Sequence, residues 1–476
     1  MSWCYTALDD ARTDVTGQRP RVVIIGSGFA GLFAAKKLAN ADAEVIVVGK
    51  STHHLFQPLL YQVATGILSP GEIAPSTREV LRKQKNASVL LSEVTDIDLK
   101  SRVLTLKELG ESRYLPYDYL IVAAGAGQSY FGHDEFASFA PGMKSVDDAL
   151  ELRARIFSCL EMAEIAEDND ERNRLMTYVV VGAGPTGVEM AGQIRELTQR
   201  TVSGEYRRIN PSDARVILLD ANDRVLAPFG DKLSRKAQRK LESIGVEIKL
   251  GAKVVGVDVD GITVQNSVGD TEQIGAGCKV WAAGVEASHL GAKIADQTEC
   301  EIDRAGRLLV NDDCTVPGHP EVFVVGDMMA LNGLPGVAQV AIQSGRFAAE
   351  EIRAELAGKK RAGIFKYRDR GSMAIISKFS AVVKIGKFEI GGFIAWVAWL
   401  FLHLLYIVGF KAQISTLVHW AIAFVTDHRA ERVITRQQMV GRLALKQLGA
   451  DFHPTITGVA DPDSIDPTSI NRGVDE

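Results

Sequence analysis

Cysteine is scarce in this 476-residue chain, and the five cysteines follow no recognisable pattern. They are odd in number and scattered, and no two of them form a C-x-x-C pair. This excludes a disulfide framework and a zinc ribbon, and it favours a reducing compartment. The nine histidines form no H-E-x-x-H motif, so the sequence predicts no metal site.

Signals for export and for nucleic-acid binding are also missing. Residues 1–20 carry Asp9, Asp10 and Asp14 and lack the apolar segment that an export signal needs. The net charge of −5 gives the whole molecule no attraction for nucleic acid, and no such partner is predicted. The active site is therefore expected to face the cytosol.

Glycine, in contrast, is abundant, and two glycine clusters occur in the same local setting. The apolar run Arg21–Ile25 leads into Gly26-Ser-Gly-Phe-Ala-Gly31, a predicted helix over Leu32–Asn40 and a predicted strand over Ala43–Val48. The same order recurs later in the chain, as Met176–Val181, Gly182–Gly187, Val188–Thr198 and Arg215–Leu219. Strand, glycine turn, helix and strand make a βαβ unit, so two dinucleotide-binding units are predicted.

Each glycine of such a turn has its own role. Gly26 permits the tight turn, Gly28 lets the backbone approach a pyrophosphate, and Gly31 lets the helix pack on the strand. The N-terminus of the following helix then faces the phosphates with a partial positive charge. A glycine-rich turn without a ligand is the alternative, and two such turns in the same context make it much weaker.

The two units differ where their second strands end. The second unit ends on Asp220, which is able to accept hydrogen bonds from both ribose hydroxyls and would repel a 2′-phosphate. This favours NAD over NADP, although Arg224 is close enough in sequence to soften the preference. The first unit ends on Lys50 and Ser51 with no carboxylate, and these two residues either hold the adenosine or its phosphates or lie free at the surface.

A third signal is the apolar run Glu321–Val325 that ends in Gly326-Asp327. A strand that delivers an aspartate at its carboxyl end places a carboxylate at the mouth of an α/β sheet, where ligands bind. The ribitol chain of a flavin dinucleotide offers hydroxyls to that carboxylate. A simple Gly-Asp turn is the alternative.

The order of the first glycine motif, the inserted second motif and then Thr315…Gly326-Asp327 resembles the two-dinucleotide-binding-domain flavoprotein family. More closely, the blocks His54–Gln62, Gly184–Glu189 and Ala338–Gln343 resemble the type II NADH dehydrogenases of the mycobacterial kind, over roughly residues 20–435. The resemblance implies an α/β fold with two Rossmann-type domains plus a C-terminal, membrane-associating helical region. A discontinuous FAD domain is expected at 20–130 with 300–365, and an NADH domain at 145–290. A C-terminal anchoring region is expected at 366–440, and flexible tails are expected at 1–19 and 450–476.

The resemblance also implies roles for individual residues. FAD is expected to contact Gly26, Ser27, Gly28, Ala30, Gly31, Ala124, Gly125, Gly326 and Asp327. Lys50 and Ser51, at the end of the first unit's second strand, are added as candidate contacts from the residues themselves. NADH is expected to contact Gly182, Gly184, Gly187, Asp220, Ala283 and Gly284. Glu189 would lie near the nicotinamide and flavin, and Gln339 and Gln343 would lie beside the isoalloxazine at the inner end of a quinone path. The alternatives are a helix first-turn carboxylate for Glu189 and a polar helical stripe for the two glutamines.

The implied activity is transfer of a hydride from NADH to FAD and of two electrons to a membrane quinone, menaquinone or ubiquinone, without proton pumping. A disulfide reductase is excluded because the segment Thr52–Leu55 has no cysteine pair. A soluble NADH oxidase or a ferredoxin-reductase-like flavoprotein is the alternative enzyme. A non-catalytic dinucleotide-sensing protein is the alternative from another class.

The C-terminal region is predicted to attach to membrane lipid without spanning it, on the cytoplasmic side of the cell inner membrane. Gly391–Phe410 has no charge and is long enough to cross a bilayer, but Trp396 and Trp399 lie in its middle, where a spanning helix rarely carries them. One apolar helix face is predicted from the spacing of Ile414, Leu417, Val418, Ala421, Ile422 and Val425. The basic residues that flank these stretches suit anionic lipid and are Lys378, Lys384, Lys387, Lys411, Arg429, Arg432 and Arg436. A homodimer is also expected, and a buried core helix or a dimer interface is the alternative to lipid attachment.

Overall fold

The computed structural model describes residues 19–108 and 111–438. The predicted flexible tails, 1–19 and 450–476, lie outside these residues apart from Arg19. The predicted fold class is confirmed, because two mainly parallel sheets, each flanked by helices, are followed by a C-terminal region that contains two helices.

The first sheet has six strands and contains the first glycine turn. Neighbours are parallel apart from one edge pair, and their order is Thr315–Val316, His319–Val324, Tyr119–Val122, Arg21–Ile25, Glu44–Gly49 and Ala87–Leu91. The strand His319–Val324 thus joins this sheet after the chain has completed the second unit. An antiparallel sheet is attached and consists of Glu93–Asp98, Val103–Glu108 and Glu111–Pro116.

Helices cover the first sheet because its strands are apolar on both faces. The helix Phe29–Lys37 follows the glycine turn, and Ala338–Leu356 packs against it so closely that a Cβ on Gly345 would overlap the carbonyl oxygen of Ala30. The shorter helices in this stretch of the chain are Leu60–Ala64 and Pro70–Ile73, which pack in the core of the second unit, and Thr77–Leu81, which packs in the core of the first. The predicted first helix began at Leu32, and the structure begins it at Phe29 because the end of the glycine turn is already helical.

The second sheet has four parallel strands and contains the second glycine turn. Their order is Val246–Leu250, Arg215–Asp220, Thr177–Val181 and Cys278–Trp281. The helices of this unit are Val146–Ile165, Asn169–Leu175, Pro185–Glu196 and Asp231–Ser243, whereas Leu290–Ala295 packs in the core of the first unit. Its antiparallel sheet consists of Lys253–Val257, Gly261–Gln265 and Thr271–Gly275. The two units therefore repeat one plan.

A short ribbon joins the units. The strand Ala126–Gln128 pairs antiparallel with Val285–Ala287. The first of these follows Tyr119–Val122 of the first sheet, and the second follows Cys278–Trp281 of the second sheet. A second small pair, Leu308–Leu309 with Met329–Ala330, is parallel. The chain passes between the units at the ribbon, so the two nucleotide sites open towards a common boundary.

The C-terminal region contains a sheet that the sequence did not predict. Its three antiparallel strands are Ser372–Ser377, Ser380–Ile385 and Phe388–Gly392, and the helices Phe393–Tyr406 and Phe410–Thr426 follow. The helices have 14 and 17 residues and are separated at Gly409, which has a φ of +103°. Within residues 19–108 and 111–438, no helix combines the length and the hydrophobicity needed to cross a bilayer.

The predicted apolar face of the second C-terminal helix is exposed. Leu417 and Val418 are about half exposed and Val425 is 82% exposed. The neighbouring helix adds further exposed side chains, and we call the whole set the apolar surface: Phe393, Ile394, Val397, Phe401, Leu405, Phe410, Ile414, Leu417, Val418, Ile422 and Val425. Trp396, Trp399 and Trp420 are instead buried against the rest of the protein.

The prediction that Arg429 flanks this surface is wrong. The side chain is buried and donates hydrogen bonds to the carbonyl oxygens of Thr65 and Gln193. Two more of the flanking basic residues form ion pairs, Lys378 with Asp427 and Arg432 with Glu205. Of the basic residues that were predicted to flank the surface, Lys387, Lys411 and Arg436 are exposed.

Candidate active site

The first glycine turn has the geometry of a phosphate cradle. Gly26 has a φ of +101°, and its N–H donates a 2.7 Å hydrogen bond to the carbonyl oxygen of Val48. A Cβ on Gly31 would overlap the carbonyl oxygen of Gly26, so only glycine allows this close contact between helix and turn. A Cβ on Gly28 would meet nothing within 4 Å. The space beside the helix N-terminus is therefore open, as a bound pyrophosphate requires.

The second glycine turn repeats this geometry residue by residue. Gly182 has a φ of +103°, and its N–H donates a 2.7 Å hydrogen bond to the carbonyl oxygen of Leu219. A Cβ on Gly187 would overlap the carbonyl oxygen of Gly182, and a Cβ on Gly184 would meet nothing within 4 Å. The second cradle is thus equally open to a dinucleotide.

The two second strands end differently, as the sequence indicates. The Asp220 carboxylate lies against the second turn and accepts hydrogen bonds from the backbone N–H groups of Ala183, at 2.5 Å, and Asn222, at 2.8 Å. At the corresponding position of the first unit Lys50 is exposed, and the Ser51 hydroxyl lies 3.5 Å from the carbonyl oxygen of His53. Ser27 donates to the same oxygen at 2.9 Å. A negatively charged side chain, Asp220, therefore lies beside the second cradle, and a positively charged one, Lys50, holds the corresponding position at the first.

Arg224 does not approach the Asp220 carboxylate. Its guanidinium forms ion pairs with Asp223, at 2.9 Å, and with Asp231. A 2′-phosphate would have to compete with these two carboxylates for the arginine. Arg224 therefore does not weaken the preference for NAD over NADP that the sequence indicates through Asp220.

Asp327 lies at the carboxyl end of the first sheet, beyond Gly326, whose φ is +69°. The Gly326 N–H donates to the Ser344 hydroxyl at 3.1 Å, which fixes this turn to the helix Ala338–Leu356. Burial raises the pKa of Asp327, and the charges of Lys144 and Arg307 oppose the shift. The sequence did not single out Lys144, because it lies far from Asp327 in the chain.

Four predicted contact residues lie where the central strands meet the joining ribbon. Ala124 and Gly125 follow Tyr119–Val122, and Gly125 has a φ of +72° with open space at its Cβ position. Ala283 and Gly284 follow Cys278–Trp281, and their carbonyl oxygens accept hydrogen bonds from Gln128. Gln128 was not predicted, and it links the two nucleotide-binding units at this point.

Glu189 is buried in the second unit, on the helix Pro185–Glu196. Its carboxyl accepts a hydrogen bond from the backbone N–H of Ile375 at 3.3 Å. Burial raises the pKa of Glu189 to about 8, and the Ile375 N–H opposes that shift. The carboxyl is therefore mainly protonated at neutral pH, which differs from the charged first-turn carboxylate considered as an alternative.

Gln339 and Gln343 lie four residues apart on the helix Ala338–Leu356 but differ in their partners. Both ends of the Gln343 amide are occupied, because it donates to the carbonyl oxygen of Arg368 and accepts from the Arg368 N–H, each at 3.0 Å. Gln339 is half-buried, and its side-chain amide has no hydrogen-bond partner among the described residues. The structure thus leaves Gln339 as the amide open to a ligand, and the role predicted for Gln343 would require its two bonds to break.

The block His54–Gln62 contributes polar side chains to which the sequence assigned no role. Tyr61 and Gln62 are both 2% exposed. Gln62 donates to the Tyr61 hydroxyl at 2.9 Å and accepts from the indole N–H of Trp420 at 2.6 Å. The resemblance of this block was the only signal for these residues, because Trp420 lies 358 residues away in the chain.

Comparison with known proteins agrees with this geometry. The pyridine nucleotide-disulphide oxidoreductase family matches residues 20–345. The type II NADH:quinone oxidoreductase Ndh of Mycobacterium tuberculosis is 58% identical over 90% of this chain and 94% of its own length. The second such protein of that organism, NdhA, is 55% identical over 92% of this chain and 94% of its own length.

A solved structure of NDH2 from Plasmodium falciparum in complex with NADH has the same fold. Its TM-score is 0.80 at 18% identity, and the match covers 87% of this chain and 99% of that one. The fold therefore extends beyond the two nucleotide-binding units. With relatives more than half identical over nine-tenths of its length, the chain belongs to the type II NADH:quinone oxidoreductases, within the pyridine nucleotide-disulphide oxidoreductase family.

Proposed function

We propose that this protein oxidises NADH through non-covalently bound FAD and passes two electrons to a membrane quinone without pumping protons. The observation that carries the proposal is the pair of open glycine cradles, at Gly28 and Gly184, on two sheets joined by one ribbon. FAD supplies the hydride acceptor and the electron carrier when bound. The family to which the chain belongs gives the quinone as the second substrate.

The residues of the first unit hold FAD in this proposal. The turn Gly26–Gly31 receives the pyrophosphate at the N-terminus of Phe29–Lys37, and Asp327 receives the ribityl hydroxyls. Ala124 and Gly125 line the flavin. Lys50 is placed to contact the adenosine end, where its exposed amine replaces the usual carboxylate. The FAD domain in this assignment comprises 20–130 and 300–365.

The residues of the second unit, 145–290, bind NADH. The turn Gly182–Gly187 receives its pyrophosphate and Asp220 receives the adenosine ribose, while Ala283 and Gly284 line the nicotinamide end. The ribose hydroxyls are donors, so they add to the hydrogen bonds that Asp220 already accepts from Ala183 and Asn222.

Gln339 and Glu189 act on the quinone. The free Gln339 amide is placed to donate a hydrogen bond to a quinone carbonyl oxygen as negative charge develops on it. Glu189 is protonated at neutral pH and holds a proton for that oxygen. Gln343 then supports the site by fixing the backbone at Arg368.

The apolar surface attaches the protein to the cytoplasmic face of the cell inner membrane. It is a contiguous group of exposed aliphatic and phenyl side chains on two adjacent helices, far richer in large apolar side chains than an ordinary protein surface. The exposed Lys387 and Lys411 border it, as expected for contact with anionic lipid. Such attachment brings quinone in the lipid close to the protein.

The predicted homodimer is a separate proposal, in which a second copy covers part of the apolar surface and lipid covers the rest. Sedimentation of the detergent-solubilised protein measures it. A mass of two chains supports the dimer, and a mass of one chain refutes it.

The test of the activity follows the two half-reactions without oxygen. The purified yellow protein should release its flavin in acid, lose its flavin colour on addition of NADH, and regain it on addition of a quinone. A flavin that NADH does not bleach would refute NADH oxidation. Reduced flavin that quinone does not reoxidise would refute the quinone step and favour a soluble NADH oxidase or a ferredoxin-reductase-like enzyme.

The membrane test uses point substitutions. Truncation before Ile390 would also remove the buried Trp399, Trp420 and Arg429, so it would damage the core. Leu417→Gln combined with Val418→Gln should instead release the folded, flavin-containing protein from anionic liposomes in a flotation assay. Val268→Gln changes a valine that is 79% exposed in the second unit and should leave flotation unchanged. Equal flotation of both variants would refute attachment through this surface.

A further inference from the structure

The middle residue of each glycine turn has a carbonyl oxygen that accepts a hydrogen bond from the loop after the second strand. In the second unit, the backbone N–H of Leu226 donates to the Ala183 oxygen at 2.8 Å. In the first unit, the Nδ1 atom of His54 lies 2.9 Å from the Ser27 oxygen. Ser27 and Ala183 occupy the same position, between the first and second glycines of their turns. One carbonyl is therefore held by the backbone and the other by an imidazole.

The hydrogen bond to Ser27 fixes the tautomer of the His54 ring. A carbonyl oxygen is an acceptor only, so Nδ1 must carry the proton and donate it. The side chain is fully buried, and burial lowers the pKa of His54 to about 4, although the hydrogen bond to Ser27 opposes that shift. The imidazole is therefore neutral at neutral pH, and its one N–H group is used on Ser27. The Nε2 atom has no hydrogen-bond partner within residues 19–108 and 111–438.

Aromatic contacts hold the imidazole in place. Phe29, the first residue of the helix after the turn, meets the His54 ring edge to face, with 5.3 Å between the ring centroids and an angle of 87° between the planes. Phe56 packs on Phe29 in the same manner, with its centroid 5.8 Å away. A buried ring between such neighbours has little freedom to turn, so the donor keeps its direction.

The Ser27 carbonyl sets the direction of the Gly28 N–H. Both groups belong to one planar trans peptide unit and point to opposite sides of it. In the part of the chain that the structure describes, the Gly28 N–H donates no hydrogen bond, and the space beside Gly28 is open. Holding the carbonyl towards His54 therefore turns this N–H away from His54 and leaves it free to donate to a pyrophosphate oxygen at the helix N-terminus.

We propose that His54 is a positioning residue for FAD, and that its Nδ1–H holds the Ser27–Gly28 peptide in the orientation that binds the pyrophosphate. The inference rests on the proposed function, in which the first turn receives FAD. The Leu226 N–H does the same for the second turn, so a donor on this carbonyl is common to both cradles. Only in the first unit is the donor a side chain, so one substitution removes it without a change in the backbone.

The test compares two substitutions of nearly equal shape. Leucine and asparagine both branch at Cγ, but only asparagine places an N–H near the position of Nδ1. The FAD that each purified, flavin-loaded protein releases on dilution is measured by its fluorescence and gives a dissociation constant. His54→Leu should raise this constant about tenfold, because the Ser27 oxygen loses its donor. His54→Asn should keep it within about threefold of the value for the unsubstituted protein.

His403→Leu is the matched control. His403 forms the same type of bond, from Nδ1 to the Trp399 carbonyl oxygen at 2.8 Å, but within the helix Phe393–Tyr406 and outside both glycine turns. Its substitution should leave the dissociation constant for FAD unchanged. If His54→Leu does not fold, His54→Phe keeps an aromatic ring against Phe29, removes the donor and should raise the constant as well.

The NADH site of the same variant is a second control. The concentration of NADH that bleaches half of the bound flavin should be the same in His54→Leu as in the unsubstituted protein, because the second turn keeps its Leu226 donor. A substitution that merely loosened the fold would weaken the binding of both nucleotides.

Three results would overturn the inference: an unchanged dissociation constant for FAD in His54→Leu, an equal increase in His54→Leu and His54→Asn, or a loss of NADH affinity as large as that of FAD. The same samples separate this inference from the proposed function. If NADH bleaches the flavin of the unsubstituted protein and quinone restores it while the two variants release FAD equally, the activity stands and the role of His54 is refuted. If the unsubstituted protein binds no flavin, the proposed function fails and the inference fails with it.

Discussion

The two nucleotide-binding units have the same glycine turn and different partners for it. In both, the first glycine has a positive φ, the third lies against the carbonyl oxygen of the first, and the middle one faces open space. The two units differ at the end of the second strand, where one has Asp220 and the other has Lys50. In the proposed function, the backbone of the turns would bind the pyrophosphate that all dinucleotides share, and side chains such as Asp220 would distinguish one dinucleotide from another.

The units also differ in what covers the helix after the turn. In the first, Ala338–Leu356 closes over that helix through Gly345. In the second, the helix meets the C-terminal sheet, where a Cβ on Gly192 would overlap the carbonyl oxygen of Ile376. In the first unit, the helix after the turn is therefore covered by a helix of the same unit, as suits a cofactor that stays bound. In the second unit, that helix contacts the C-terminal region, which carries the apolar surface.

The largest expected effect comes from equivalent substitutions in the two turns. Gly31→Ala and Gly187→Ala each place a methyl group on a backbone oxygen, at a cost of about 3 kcal/mol, or roughly a hundredfold in affinity. Gly31→Ala should be purified with little flavin. Gly187→Ala should keep its flavin but need about a hundredfold more NADH to bleach it. Absorbance spectra measure both, and loss of flavin from both variants alike would contradict the assignment of the units.

The next effect separates the two half-reactions at Gln339. Gln339→Ala should slow reoxidation of the flavin by quinone about thirtyfold, because a hydrogen bond to developing charge is worth about 2 kcal/mol. Reduction by NADH should be nearly unchanged. Stopped-flow absorbance resolves the two steps. A defect confined to the NADH step would show that Gln339 does not act on the quinone.

Asp220→Asn should reduce the preference for NADH over NADPH by about tenfold, since it removes a charge repulsion of somewhat over 1 kcal/mol. The ratio of kcat/KM for the two nucleotides measures the change. Arg224→Ala is the control and should alter the ratio little, because Asp223 and Asp231 hold that arginine. An equal preference for both nucleotides in the unsubstituted protein would refute the role of Asp220.

The smallest effect is a pH dependence of the quinone step alone. A carboxyl with a pKa of about 8 holds its proton below that pH and loses it above. Between pH 7 and pH 8 the rate of flavin reoxidation should therefore fall by about half. Reduction by NADH should not follow the same curve. Glu189→Gln should remove this pH dependence, and its persistence in that variant would assign it to another group.

The glycine turns could be predicted from the sequence because their constraint is local. A turn that packs its helix against its own first residue admits only glycine, so Gly26 and Gly31 identify the geometry without further context. The C-terminal sheet could not be predicted in this way. Short apolar runs such as Ala381–Val383 suit a buried strand and a buried helix equally, and only packing decides between them.

Side-chain partners distant in the chain set the other limit. The Gln343 amide forms hydrogen bonds with Arg368. Arg429 forms hydrogen bonds with Thr65, 364 residues away in the sequence, and with Gln193, 236 residues away. A basic residue beside an apolar helix has the same sequence pattern whether it faces lipid or fills the core. The sequence therefore predicted candidate regions for the site, but it could not predict which of their polar groups already have hydrogen-bond or ion-pair partners.

The joining ribbon has a mechanical consequence. The chain passes between the nucleotide-binding units in both directions, and the two passages, Ala126–Gln128 and Val285–Ala287, are hydrogen-bonded to each other. Pulling the units apart would load both strands at once, together with the hydrogen bonds from Gln128 to Ala283 and Gly284. The joint therefore resists separation of the two units, so we expect NADH to enter and leave with the units staying together.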